Sequence, residues 1–149
     1  MNFEGLMTAI VTPMQEGRID EAGLRALVRK QVEAGINGLI VCGSTGEGAT
    51  LSDSEQAHAV RLAAEAAGGR TPIVAGVGAR STAGAIRQAQ RFHAGGADAL
   101  LVVSAPVTLA EHRANLLVLF NHFSHHEWGC RDRWGAFATR RRRTSRHLG

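Results

Sequence analysis

Four short apolar runs, at residues 6–12, 39–42, 72–77 and 99–103, recur at roughly thirty-residue spacing and alternate with stretches of helical period. Leu39-Ile40-Val41-Cys42 is typical: too short for a helix and without polar alternation, it predicts a strand buried on both faces. A strand, a helix and a second strand at this repeat length make a right-handed crossover unit. The chain is therefore expected to be α/β with parallel strands.

The intervening segments carry their own start and stop signals. Asp20 predicts an N-cap for a helix with an apolar stripe at Leu24, Leu27, Val28 and Val32, and Gly35 ends it. Ser52 and Glu55 stand at capping-box spacing before a helix over 53–67, whose Ala59, Val60, Ala63 and Ala64 form a small-residue face and which Gly68 and Gly69 stop. Ser81 or Thr82 caps the third helix, with Ala85, Ile86, Ala89 and Phe92 near one side and Gly95 and Gly96 closing it. Residues 15–18 read as a loop.

The segment richest in chemistry is 43–51, which follows the second apolar run. It has glycines at Gly43, Gly46 and Gly48 and hydroxyls at Ser44 and Thr45. A loop leaving the carboxyl end of a parallel strand is where such folds bind ligands, because backbone N–H groups and small hydroxyls can converge there on one anion. The same hydroxyls would also serve to satisfy backbone groups in a tight turn.

Two architectures compete on this pattern. The 149 residues suit an open doubly wound sheet of four or five units, whereas a complete (β/α)8 barrel needs about 250. Nucleotide signatures are missing, however: no Lys follows the Gly43 to Gly48 loop, and Gly76-Val77-Gly78 lacks the third glycine of a dinucleotide loop.

Three blocks resolve the choice by resemblance: Ala9-Ile10-Val11-Thr12-Pro13, then Gly43-Ser44-Thr45-Gly46-Glu47 with Ala49-Thr50-Leu51, then Ile73-Val74-Ala75-Gly76-Val77-Gly78. Together they resemble the dihydrodipicolinate synthase and N-acetylneuraminate lyase family of pyruvate-dependent class I aldolases, over about residues 1–104. That implies a partial (β/α)8 TIM barrel of about four β/α units. By the same resemblance Thr45 contacts the pyruvate carboxylate and Ser44 is the hydroxyl of a proton relay, with Glu47 a structural acceptor for loop N–H groups. The implied chemistry is lyase chemistry through a Schiff base, joining pyruvate to aspartate semialdehyde in lysine (diaminopimelate) biosynthesis, with no cofactor and no metal.

The departures from the family are as specific as the matches. Where the family has Pro-Tyr-Tyr after the fourth strand, this chain has Ser104-Ala105-Pro106-Val107, and it contains no tyrosine. Its single lysine, Lys30, falls in the first helix rather than on a sixth strand. Without the amine, the covalent step of a class I aldolase has no nucleophile. The chain alone is expected to be inactive.

Charge divides the sequence. Residues 1–104 hold nine basic and ten acidic side chains, while 105–149 hold eight and three, so the net charge of +4 belongs to the C-terminal part. Leu116, Leu117, Phe120 and Phe123 allow a helix over 108–123, and the barrel-like part is expected to span residues 1–123. Residues 124–149 show no resemblance and no period, and read as an irregular, disordered or frame-shifted basic tail. Their Arg-rich 140–147 offers an alternative function, a nucleic-acid-binding α/β remnant, although no aromatic residues interleave the arginines. His122, His125, His126 and Cys130 have partial metal-ligand spacing but no second cysteine.

Two cysteines without a motif do not make a disulfide framework. Neither a secretory leader nor a membrane-length apolar run is present, so a cytoplasmic location is expected. A half barrel has two unpaired sheet edges, which predicts a homo-oligomer or poor solubility.

Overall fold

The computed structural model describes residues 5–103, 128–131 and 137–140. In chain order the elements are β1 (Met7–Ala9), β2 (Met14–Gln15), β3 (Arg18–Ile19), α1 (Glu21–Glu33), β4 (Gly38–Val41), α2 (Asp53–Ala67), β5 (Ile73–Val77), α3 (Thr82–Ala94), β6 (Ala99–Val102), β7 (Trp128–Arg131) and β8 (Phe137–Arg140). The main sheet runs β1-β4-β5-β6-β8-β7, its first four strands parallel as the crossover spacing requires.

Register follows from which side chains must be buried. Val41 lies beside Ala75, and Ala75 beside Leu100, so a row of small and branched residues crosses the sheet. With Leu39, Ile73 and Val77 this row packs in one core with Leu24 and Val28 of α1, Val60 and Ala63 of α2, and Phe92 of α3. Phe92 is fully buried, and alanines at 59, 63, 85 and 89 let the helices approach the sheet closely.

Each helix begins where the sequence places its cap. The Asp20 carboxylate accepts from the Gly23 N–H at 2.9 Å. Ser52 and Glu55 complete a reciprocal capping box, in which the Glu55 carboxylate accepts from the Ser52 N–H at 2.8 Å. The Ser52 hydroxyl and N–H beside Glu55 hold its carboxyl below the ordinary carboxylate range. Ser81, not Thr82, caps α3. Gly68, at φ 58, ends α2 in the left-handed conformation that a residue with a Cβ resists. Across the α1–α2 surface, Arg25 pairs with Glu65 at 2.6 Å and His58 with Glu21 at 2.7 Å, which makes His58 a surface residue as its helical position suggests.

Two features differ from expectation. Residues 15–18, read as a loop, belong to a miniature hairpin: Met14 pairs with Ile19 and Gln15 with Arg18, and Glu16 and Gly17 have φ 50 and 75, the positive pair that a primed turn requires. In the second, the tail read as irregular supplies β7 and β8, and β8 lies antiparallel on β6. Of the two edges expected to be free, only that of β1 is a parallel-sheet edge; β6 is covered. Pairing of this kind uses backbone N–H and C=O groups that every sequence carries, so it needs no apolar period. The expected helix over 108–123 and the boundary at 123/124 lie outside the described residues.

Candidate anion-binding loop and its supports

The candidate site is built at the carboxyl end of β4. Cys42 leaves the strand at φ 56, and residues 43–51 fold into successive tight turns before α2. Glu47 N–H donates to the Ser44 carbonyl at 3.1 Å, Gly48 N–H to the Gly43 carbonyl at 3.1 Å, and Thr50 N–H to the Glu47 carbonyl at 2.9 Å. The Thr12 hydroxyl, buried beyond β1, donates to the Gly46 carbonyl at 2.7 Å. The Gln56 amide of α2 donates to the Gly48 carbonyl and, at 3.2 Å, to that of Leu51.

This set of bonds has one electrostatic consequence. The carbonyls of Gly43, Ser44, Gly46, Glu47, Gly48 and Leu51 are all taken by internal donors. Among the described residues, the N–H groups of Ser44 and Thr45 have no acceptor, and both residues are exposed. Six of the loop's carbonyls thus turn their negative ends toward internal donors, while the N–H groups and hydroxyls of Ser44 and Thr45 are left for an anion. Ser44 and Thr45, the hydroxyls singled out in the sequence, are consecutive exposed residues of this loop.

Glu47, expected as a structural acceptor for loop N–H groups, accepts through its backbone carbonyl from the Thr50 N–H at 2.9 Å and the Thr50 hydroxyl at 2.8 Å. Thr12, Gln56 and Gln88 were missed; each is polar yet 7–8% exposed. Their partners lie far away in the chain, Thr12 being 34 positions from Gly46 and Gln88 being 32 from Gln56, so no short window of sequence signals them. Lys30 lies exposed in the last turn of α1, next to the start of β4, whereas the loop leaves the other end of that strand. Among the described residues no group of His, Cys, Asp and Glu is placed to hold a metal, and His122, His125 and His126 lie outside them. Arg141, Arg142 and Arg143 lie outside them too.

Cys42 behaves as a core residue. Its thiol donates to the Gln56 backbone carbonyl at 3.7 Å, and burial pushes its pKa up to about 12 from an ordinary value of 9.0. A thiol harder to ionise in the fold than in the unfolded chain stabilises fully below pH 9.0, and that contribution is lost as pH rises toward about 12. Iodoacetamide at pH 8, followed by peptide mapping, is expected to leave Cys42 unmodified in the native chain and to label it in urea. Equal labelling rates in the two states would refute its burial.

Parallel β/α units on one helix-covered sheet, with a donor-rich loop at the strands' carboxyl ends, define part of a (β/α)8 barrel. The chain belongs to the Dihydrodipicolinate synthetase family, whose sequence model matches residues 2–115. It is 49% identical over 102 residues to a 4-hydroxy-tetrahydrodipicolinate synthase of Methylobacterium radiotolerans, covering 68% of this chain and 34% of that relative. Among solved structures it resembles a monomeric dihydrodipicolinate synthase variant, with TM-score 0.75 and 32% identity, covering 80% of this chain and 41% of that one. It also resembles YagE, a family protein of E. coli K12 in complex with pyruvate, with TM-score 0.72 and 29% identity, covering 80% and 40%. The chain thus spans about a third of the length of the curated relatives it matches.

Proposed function

We propose that residues 43–48 are the carboxylate-binding element of a pyruvate-dependent lyase site, with Thr45 contacting the carboxylate and Ser44 at the position of a proton-relay hydroxyl. The observation that carries this is the polarity of the loop: six of its carbonyls are bonded inward while the Ser44 and Thr45 N–H groups and hydroxyls remain available at the surface. Pyruvate is favoured among small anions because the structurally similar YagE is described in complex with it. The reaction of the matched relatives, 4-hydroxy-tetrahydrodipicolinate synthesis from pyruvate and aspartate semialdehyde in lysine biosynthesis, is the activity to which this half-site belongs.

The 149-residue chain on its own binds without turning over. Hydroxyls and backbone donors hold a carboxylate in ground and transition states alike, and uniform binding does not lower the barrier to forming a carbon–carbon bond. No described element brings an amine to the loop, and the chain has no tyrosine for the relay. Self-association through the free edge of β1 and a cytoplasmic location fit this function, and no helix among the described residues is long and apolar enough to cross a membrane.

Titration with sodium pyruvate, followed through the backbone amides of Ser44 and Thr45 by NMR, tests the assignment. Thr45→Val removes a hydroxyl donor to a charged group and is expected to cost about 1.5–3 kcal/mol, more than tenfold in affinity. Undiminished binding by Thr45→Val, or shifts confined to other parts of the chain, would refute it.

A further inference from the structure

The buried amides of Gln56 and Gln88 form a chain whose direction is fixed at both ends. The Gly78 N–H, at the exit of β5, donates to Gln88 Oε1 at 3.2 Å, and Gln88 Nε2 donates to Gln56 Oε1 at 2.6 Å. Gln56 Nε2 then donates to the carbonyls of Gly48 and Leu51 in the loop. A backbone N–H can only donate and a carbonyl can only accept, so neither amide can turn over without breaking bonds at both of its ends. Each bond polarises the next in the same sense, and both side chains are 7% exposed, away from competing water.

The geometry points to Gln56 and Gln88 as positioning residues for the anion loop: together they hold the Gly48 and Leu51 carbonyls inward and tie the loop to the end of β5. This inference rests on the pyruvate assignment for its functional consequence, though not for its geometry. Were the chain broken at Gln88, Gln56 Oε1 would be left buried without its donor, and Gly78 N–H without its acceptor. The Gln56 amide would then be free to rotate, and the Gly48 and Leu51 carbonyls would turn toward water at the mouth. A carbonyl dipole turned outward opposes a carboxylate beside Ser44 and Thr45. Gln56 therefore acts on the ligand through the loop, and Gln88 acts through Gln56.

The test uses the whole chain and a double-mutant cycle of Gln56→Met, Gln88→Met and the double variant, since Met keeps the side-chain volume and removes the amide. Pyruvate affinity and amide hydrogen exchange at Glu47, Gly48 and Thr50 are measured for each. Gln88→Met is expected to lower affinity about tenfold and to accelerate exchange at those amides by a similar factor, with Val60 and Leu100 unchanged. The double variant is expected to be no worse than Gln56→Met, because residues acting in series are not additive. Unchanged exchange in Gln88→Met, or an additive double variant, overturns the inference. If the parent chain takes no pyruvate, the pyruvate assignment fails, and the exchange rates still decide whether the amide chain positions the loop. Gln88→Glu, which keeps an acceptor for Gly78 but has no donor for Gln56 when ionised, gives the same comparison if the Met variant does not fold.

Discussion

Gly48→Ala is expected to disrupt the loop and destabilise the whole chain by about 3 kcal/mol, the upper end of the ordinary cost of overpacking. A Cβ at this position would overlap the carbonyl oxygen of Cys42, a backbone atom at the end of β4 that cannot swing aside as a side chain would. The same carbonyl oxygen lies 2.6 Å from where a Cβ on Gly76 would stand, so Gly76 has no room for one either. Strand β4, the loop and β5 therefore meet at a point with room for glycine only. Thermal unfolding monitored by circular dichroism should show a fall in midpoint of about 10 °C. Gly78→Ala is the control, because a Cβ there meets nothing within 4 Å. A midpoint for Gly48→Ala within about 2 °C of the parent would mean that the loop is not held against Cys42 as described.

Pyruvate and borohydride together are expected to leave the 149-residue chain unmodified, where a class I aldolase would gain a reduced adduct on its amine. The only lysine is Lys30. It sits at the amino end of the sheet, and the four residues of β4 separate that end from the loop by about 13 Å of strand. Lys30 is exposed there, far from the hydroxyls that would hold the pyruvate carboxylate. Intact-mass measurement decides the matter. A stoichiometric adduct lost on Lys30→Arg would show that the chain carries out the covalent step; an unmodified chain beside a labelled full-length family member is the expected result.

Legibility differed sharply between local and distant interactions. The capping box of Ser52 and Glu55, the Asp20 and Ser81 caps and the left-handed stop at Gly68 join residues within four positions of one another, so their partners are visible in a short window of sequence. The parallel order of β1, β4, β5 and β6 was also readable, because short apolar runs at that spacing admit few other connections. Ser44 and Thr45 could be picked out because the hydroxyls are adjacent and flanked by glycines. Thr12 could not, since its partner Gly46 is 34 positions away. Gln88 lies 32 positions from Gln56, and nothing in either neighbourhood distinguishes a glutamine that is buried from one on a helix surface. The placement of β7 and β8 was equally hidden, because edge pairing is specified by backbone groups rather than by side-chain pattern.

By itself the sequence determined the α/β class, the helix limits, the family and the two hydroxyls offered by the loop, since each rests on residues close together in the chain or on a contiguous motif. The tertiary structure alone decided which way the loop's dipoles point. That depends on whether Thr12 from the segment after β1, Gln56 from α2 and, through it, Gln88 from α3 converge on particular carbonyls, and that convergence requires the register of the sheet and the packing of the helices upon it. A hydroxyl next to a glycine is a matter of sequence. The donors left at Ser44 and Thr45 face a loop in which the carbonyls of Gly43, Ser44, Gly46, Glu47, Gly48 and Leu51 have found partners inside.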